Sequence, residues 1–200
     1  MKSFENFKET IPKNYLLNSN PWTRYKSLTD LFDTVESDKQ VIQAKKDLLS
    51  HEKVIDLAEQ TKDWITVAPS RNNDAKIPYF KLRILSDFGV RYNELGLDKT
   101  VYKAGEHTIE NMYAARGETP KRPKKGEKYQ KADPEADIWH ISPCNSPIIT
   151  YTLLNLGVKN EKLLQSVEEL KKRWKDDTGW FCHFFFVESQ YKKLKVGCPI

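Results

Sequence analysis

The fold of this chain is decided by two stretches, which begin Pro78-Tyr79-Phe80-Lys81-Leu82 and Pro147-Ile148-Ile149-Thr150-Tyr151 and end Leu85-Ser86-Asp87-Phe88-Gly89-Val90 and Leu154-Asn155-Leu156-Gly157-Val158. Proline suits the first turn of a helix, because its missing N–H has no partner there and its φ is already helical. Glycine suits the residue after a helix, where φ is positive. The pattern predicts two copies of one helix, over residues 78–89 and 146–157.

The same proline signal occurs at two more places, Pro21-Trp22-Thr23-Arg24-Tyr25 and Pro199-Ile200, and the residues before two of the prolines, Asn20 and Ser146, are good N-caps. An amphipathic stretch with a charged face follows each of the first three copies. Its apolar positions are Val41, Ala44, Leu48, Val54, Ile55, Leu57 and Ala58 after the first, Val101, Ala104, Thr108, Ile109 and Met112 after the second, and Leu163, Leu164, Val167, Leu170 and Trp174 after the third. The second stretch predicts a weaker helix over 98–113.

The two kinds of helix differ in how much of their surface is apolar. The proline-started helices are apolar on most faces, which is typical of inner helices, whereas the amphipathic ones are typical of an outer layer. The sequence therefore predicts an all-α fold, a double-layered α/α toroid or an open α/α solenoid of helix pairs. A fourth inner helix would begin at Pro199, so we expect an incomplete ring that continues beyond residue 200.

Length and composition allow one domain over residues 1–200, with a 1–19 extension and a basic loop insertion at 114–136. The chain has 200 residues, 38% of them hydrophobic, with 8 Gly, 3 Cys and no long apolar run. These values exclude a collagen, a disulfide scaffold and a membrane span. The start of the chain has no apolar segment typical of a signal peptide, and three cysteines cannot all pair, so we expect a cytoplasmic protein.

The basic charge is concentrated in one segment. Residues 116–131 carry five more basic than acidic residues, which equals the net charge of +5 for the whole chain. This segment has one aromatic residue, Tyr129, and lacks the alternation of basic and aromatic residues that single-strand binders use. The pattern favours a solvated loop and argues against nucleic-acid binding, although contact with an acidic partner stays open.

A family resemblance rests on the last third of the chain. Asp176-Asp177-Thr178-Gly179-Trp180-Phe181, a loop and then Cys198-Pro199-Ile200 resemble the prenyltransferase and squalene oxidase repeat of the terpenoid cyclase and protein prenyltransferase superfamily. The stretch from Asp137 to Pro147 resembles the same approach to an inner helix. The Gln-x-x-x-Gly-x-Trp repeat is not intact and the Asp-x-Asp-Asp acid motif is missing, so the resemblance implies a toroid but assigns no catalytic residue.

Two sets of residues are candidates for binding. The first set combines thiols and imidazoles that a tetrahedral zinc ion accepts, and consists of His140, Cys144, Cys182, His183 and Cys198. The second set is aromatic and would line a central cavity for an apolar, isoprenoid-like ligand; it consists of Trp22, Tyr25, Tyr79, Trp139, Tyr151, Trp180 and Phe181. The alternatives are buried thiols, hydrogen-bonded histidines and ordinary aromatic core packing.

Three functions are compatible with these patterns. One is a toroid domain that binds an apolar or isoprenoid ligand, with or without catalysis. Another is a noncatalytic helical-repeat scaffold that binds a protein partner on its concave face. The third is contact with nucleic acid through the basic loop alone.

Overall fold

The computed structural model describes residues 12–62, 77–116, 139–140, 145–175 and 179–180, and these residues are mostly α-helical. The α-helices in these ranges are α1 Lys13–Leu17, α2 Pro21–Lys26, α3 Lys39–Ser50, α4 Glu52–Glu59, α5 Pro78–Asp87, α6 Leu97–Glu106, α7 Asn145–Asn155 and α8 Glu161–Arg173. A π-helical turn, Ser27–Leu31, continues α2. The predicted predominance of helix is confirmed.

The strands in the described ranges are two residues long and pair antiparallel. They are β1 Thr108–Ile109 with β2 Met112–Tyr113, β3 Ala115–Arg116 with β4 Trp139–His140, and β5 Trp174–Lys175 with β6 Gly179–Trp180. The pairing of β3 with β4 joins the two ends of the predicted basic insertion. Residues 117–138, which include most of the predicted 114–136 insertion, lie outside the described residues.

Helices α5 and α7 end in the same hydrogen-bonded motif. In α5, Val90 N–H donates to Leu85 O at 3.0 Å and Gly89 N–H to Ser86 O at 3.0 Å. In α7, the N–H groups of residues 158 and 157 donate to the carbonyls of residues 153 and 154 at 3.0 and 2.9 Å. Gly89 and Gly157 have φ of 92° and 81°, as a C′ residue of this motif requires. The predicted glycine stops are therefore confirmed.

Helices α5 and α7 also lie side by side and run in the same direction. Counted back from the two glycines, Arg83 corresponds to Tyr151 and Asp87 to Asn155. The Arg83 guanidinium lies 5.7 Å from the centre of the Tyr151 ring, and Asn155 Nδ2 donates to Asp87 Oδ1 at 3.3 Å. Corresponding residues of the two copies are thus in contact with each other.

One predicted N-cap is confirmed and the other is wrong. The Asn20 side chain accepts a hydrogen bond from Thr23 N–H at 3.0 Å, with Pro21 at the first helical position. Ser146 does not cap α7, because this helix already begins at Asn145. The Ser146 side chain instead lies inside the first turn, where its hydroxyl is buried and has no hydrogen-bond partner among the described residues.

The predicted helix over 98–113 is also corrected by the structure. Helix α6 ends at Glu106, and residues 108–113 form the hairpin of β1 and β2 instead. The turn of this hairpin consists of Glu110 and Asn111, both with positive φ, which is the geometry of a tight two-residue hairpin turn. A chain reversal at this point is incompatible with a continuing helix.

The core is formed where α3, α4, α5 and α7 pack together. Its fully buried residues include Leu48, Val54, Leu82, Leu85, Leu153 and Leu156. Two apolar residues of the last amphipathic stretch are not in the core. Leu164 is exposed, and Trp174 lies in β5 because α8 ends at Arg173. None of the helices in the described ranges is long and apolar enough to cross a membrane.

Candidate functional site

The line of contact between α5 and α7 leaves an exposed stripe on both helices. We call this surface the seam face; it consists of Arg83, Ile84 and Asp87 of α5 and Tyr151, Leu154 and Asn155 of α7. Tyr151 is 49% exposed and Leu154 is 45% exposed. The apolar composition of α5 and α7 predicts inner helices, whereas each of these two helices exposes part of its apolar surface.

Asp87 is the polar centre of the seam face. Its Oδ1 atom accepts hydrogen bonds from the Tyr151 hydroxyl and from Asn155 Nδ2, each at 3.3 Å. Arg83 Nε lies 3.7 Å from the other carboxylate oxygen. Partial burial, with the Asp87 carboxylate nearby, raises the pKa of the Tyr151 phenol. These long contacts leave the carboxylate able to accept a further hydrogen bond.

Beyond the ends of α5 and α7, the seam face leads into a cleft of about 440 Å³. We call it the terminal cleft; it is lined by Tyr25, Lys26, Thr29, Asp30, Asp33, Thr34, Val35, Glu36, Ser86, Gly89, Arg91 and Asn155. Arg91 lies between the two helix ends. Its Nη1 donates to the Asn155 carbonyl at 3.4 Å, and its Nη2 lies 3.7 Å from Glu36 Oε1.

Arg91 is held in place by a network that reaches α3. Lys45 Nζ donates to Gly89 O at 2.6 Å and lies 2.8 Å from Glu94 Oε2, which also accepts from Arg91 N–H at 2.7 Å. The Lys45 ammonium also lies 5.0 Å from the centre of the Tyr25 ring. Burial lowers the pKa of Lys45, while the Glu94 carboxylate opposes this shift. The network positions the loop after α5 against α3.

A shallow aromatic pocket lies on the other side of the end of α5. Trp22 stacks on Phe88 with ring centres 4.8 Å apart and an interplanar angle of 12°. The pocket has a volume of about 410 Å³, and Leu31 and Asp87 also line it. Through Asp87, this pocket is continuous with the seam face.

The structure separates the predicted ligand-binding aromatic residues. Trp22, Tyr25 and Tyr151 lie around the end of α5, in the aromatic pocket, the terminal cleft and the seam face. Tyr79 is buried and packs on Phe80, and Trp139 stacks on His107 with ring centres 3.5 Å apart. The structure describes Trp180 only as part of β6, and Phe181 lies outside the described residues.

The predicted zinc ligands are not tested by the described residues. His140 contributes its backbone to β4, and Cys144, Cys182, His183 and Cys198 all lie outside the described ranges. Within those ranges, no group of three or more His, Cys, Asp or Glu side chains is arranged to hold a metal ion. Zinc binding remains a prediction from the sequence.

The sequence did not single out Asp87, Asn155 or Arg91 as site residues. A signal for two of them was present, because Asp87 and Asn155 stand at the same distance before the two glycines. For Arg91 there was no such signal. Its position depends on Lys45 and Glu94, which come together only in the folded chain.

Comparison of the chain with protein-family models, with curated proteins and with solved structures found no match. The resemblance to prenyltransferase and squalene oxidase repeats is therefore a prediction from the quoted motifs alone.

Two buried phenols make the stability of the chain depend on pH. Burial raises the pKa of Tyr25, where the Arg91 charge opposes it, and burial also raises the pKa of Tyr113. The folded chain therefore keeps these protons to a higher pH than the unfolded chain does. The protonated phenols therefore contribute to the free energy of unfolding. This contribution is complete below about pH 10, the usual pKa of tyrosine, and is lost as the pH rises through the raised pKa values of the folded chain.

We expect a phenolate absorbance titration to show a fraction that ionises above the ordinary range, and Tyr25→Phe to reduce that fraction. The control is Tyr15→Phe, which removes one exposed phenol and so lowers the total phenolate absorbance by the same amount as Tyr25→Phe. Loss of early-ionising absorbance in Tyr25→Phe would contradict the burial of this phenol.

Proposed function

We propose that this chain is a binding domain, an arc of a double-layered α/α toroid or open solenoid, and that it binds a protein partner on the seam face. The repeat is supported by the contacts between corresponding residues of α5 and α7, Arg83 with Tyr151 and Asp87 with Asn155. Neighbouring units of a helical repeat pack in this way because each unit presents the same side to the next.

Partner binding is supported by the chemistry of the seam face. Ile84, Tyr151 and Leu154 expose apolar surface next to the polar groups of Arg83 and Asp87. Apolar and aromatic surface with a polar margin is typical of protein interfaces, where Tyr, Trp and Arg contribute most of the binding energy. Trp22 in the adjacent aromatic pocket extends this surface. The exposed apolar row between two parallel helices is the observation that carries the proposal.

An apolar small molecule is the second candidate function, and it rests on the family resemblance. Small apolar ligands bind in concave pockets that cover most of their surface. Among the described residues, Tyr25 and Tyr79 are buried in the packed core, whereas the seam face is open. The described residues therefore favour a protein partner over an isoprenoid ligand. A central aromatic cavity, like the zinc site, remains a prediction.

The proposal is tested by selecting displayed peptides on the wild-type chain alone and then measuring the affinity of each for the wild-type chain and for the Leu154→Asp variant. We expect the selected peptides to include a class that binds Leu154→Asp at least about tenfold more weakly than wild type, because the substitution places a charge in the apolar row. The matched control is Ile42→Asp on α3, which changes an aliphatic residue away from the seam face that is 56% exposed, against 45% for Leu154. Unchanged melting temperatures will show that both variants fold.

Two results would contradict partner binding at the seam face. One is a set of peptides whose affinity falls equally in Leu154→Asp and Ile42→Asp. The other is thermal stabilisation of the wild-type chain by prenyl diphosphates or squalene-like lipids, with no selected peptide sensitive to Leu154→Asp. The second result would favour the apolar-ligand function, because a ligand that binds only the folded chain raises its melting temperature.

A further inference from the structure

A second surface, away from the seam face, has the features of a peptide-binding groove. It lies between α6 and the beginning of α8 and has a volume of about 560 Å³. Val101 and Val158 supply aliphatic surface, and the rings of Tyr92 and Tyr102 line the same groove. Tyr102 is 70% exposed, so an aromatic side chain is available beside an apolar surface. We call this surface the tyrosine groove.

The charged residues of the tyrosine groove are mainly acidic. Asp98, Glu106 and Glu161 line it together with Lys159 and Lys162. One lysine and one carboxylate of the lining already have partners, because Lys162 Nζ donates to the Gly105 carbonyl at 2.9 Å and Gln165 Nε2 donates to Glu161 Oε1 at 3.3 Å. The carboxylates of the lining outnumber its lysines by one, so the groove is slightly acidic on a chain whose net charge is +5. This charge favours a basic ligand over an acidic one.

Grooves lined by aromatic rings are typical binding sites for polyproline-II peptides. A polyproline-II segment is extended, has no internal hydrogen bonds and loses little entropy on binding, and its prolines pack against aromatic rings. We propose that the tyrosine groove binds a basic, proline-rich segment of another polypeptide. In this interaction the prolines pack against Tyr92 and Tyr102, and Lys or Arg side chains lie beside the carboxylates of Asp98 and Glu106.

The chain itself contains a sequence with the chemistry of this ligand. Pro120-Lys121-Arg122-Pro123-Lys124-Lys125 places two prolines three residues apart among four basic residues. This sequence lies outside the described residues, and here it supplies a probe. A labelled synthetic peptide with the sequence of residues 117–128 presents both the prolines and the positive charge that the groove requires.

The experiment is a fluorescence titration of this peptide with the full chain. We expect saturable binding that weakens about tenfold in Tyr102→Ala, which removes the most exposed ring of the groove. The matched control is Tyr15→Ala, which removes an equally exposed tyrosine from α1 and leaves the affinity unchanged. Glu106→Gln is expected to weaken binding several-fold at low salt and to reduce the salt dependence of binding, because the Glu106 carboxylate attracts the basic residues of the peptide electrostatically.

Two further titrations separate the alternatives. A peptide in which both prolines are alanine keeps its charge, so equally tight binding by this peptide would show plain charge attraction and overturn the proposal. The second titration uses the unchanged peptide and a full chain that carries the substitutions Pro120→Ala and Pro123→Ala. Equal binding to it and to wild type supports a ligand from another polypeptide, whereas binding to this variant only would assign the groove to the chain's own segment. Absence of saturable binding, or equal losses in Tyr102→Ala and Tyr15→Ala, would also overturn the proposal.

Discussion

Gly89→Ala is expected to destabilise the chain by about 3 kcal/mol, because it combines a strained backbone with a steric clash. A Cβ atom at position 89 would lie 2.5 Å from Tyr25 Cε1 and 2.9 Å from Cδ1, and φ at this position is +92°. Gly157 stands at the corresponding position of α7, where the nearest atom to an added Cβ is Arg91 Nη1 at 3.7 Å. Gly157→Ala is therefore expected to cost only the backbone strain, about 1 kcal/mol.

Urea unfolding of the two variants measures this difference, and Tyr25 gives a direct test of its cause. In the double variant Tyr25→Leu/Gly89→Ala the ring that meets the new Cβ is gone, so we expect a total loss smaller than the sum of the two single losses. Additive losses, or equal losses in Gly89→Ala and Gly157→Ala, would show that the contact with Tyr25 is not the cause.

Leu153→Ala is expected to destabilise the chain by about 3 kcal/mol, within the range that large-to-small core substitutions cover. Leu153 has no solvent exposure and lies in the core on α7. Its neighbour Leu154 is the matched control, since it has the same side chain in the same helix but belongs to the exposed seam face. Leu154→Ala is expected to cost no more than about 0.5 kcal/mol.

Thermal or urea unfolding of both leucine variants checks this assignment of faces. A large loss in Leu154→Ala with a small loss in Leu153→Ala would place the opposite side of α7 in the core. The seam face would then be an internal surface, and partner binding there would be excluded. The same pair of variants therefore tests the geometry on which the proposed function depends.

Much of the helical framework was predictable because its signals are local. The residues around Pro21, Pro78, Gly89 and Gly157 act through their own φ angles and hydrogen bonds to nearby residues. The helix predicted over 98–113 was wrong because its spacing fits a helix while Glu110 and Asn111 form a hairpin turn. Neither residue is the glycine that usually marks such a turn, so the local signal was weak.

The candidate site was less predictable than the helices. Residue type does not distinguish the two environments, because Tyr79 packs in the core while Tyr151 is exposed on the seam face. Apolar composition could not show which side of α7 faces solvent, because Leu153 and Leu154 are the same residue type at adjacent positions. The position of Arg91 is not visible in the sequence. The Glu94 carboxylate accepts from the Arg91 backbone N–H, and Glu94 is itself paired with Lys45 of α3.

The sequence by itself determined the start of α2 at Pro21 and the ends of α5 and α7 before Gly89 and Gly157. The reason is that proline, asparagine caps and glycine act through the conformation of a few neighbouring residues. Only the tertiary structure decided that Arg83 meets Tyr151 and that Asp87 meets Asn155, each pair being separated by 68 positions along the chain. Such contacts depend on which faces of the helices pack together, and that choice is made by the whole core at once.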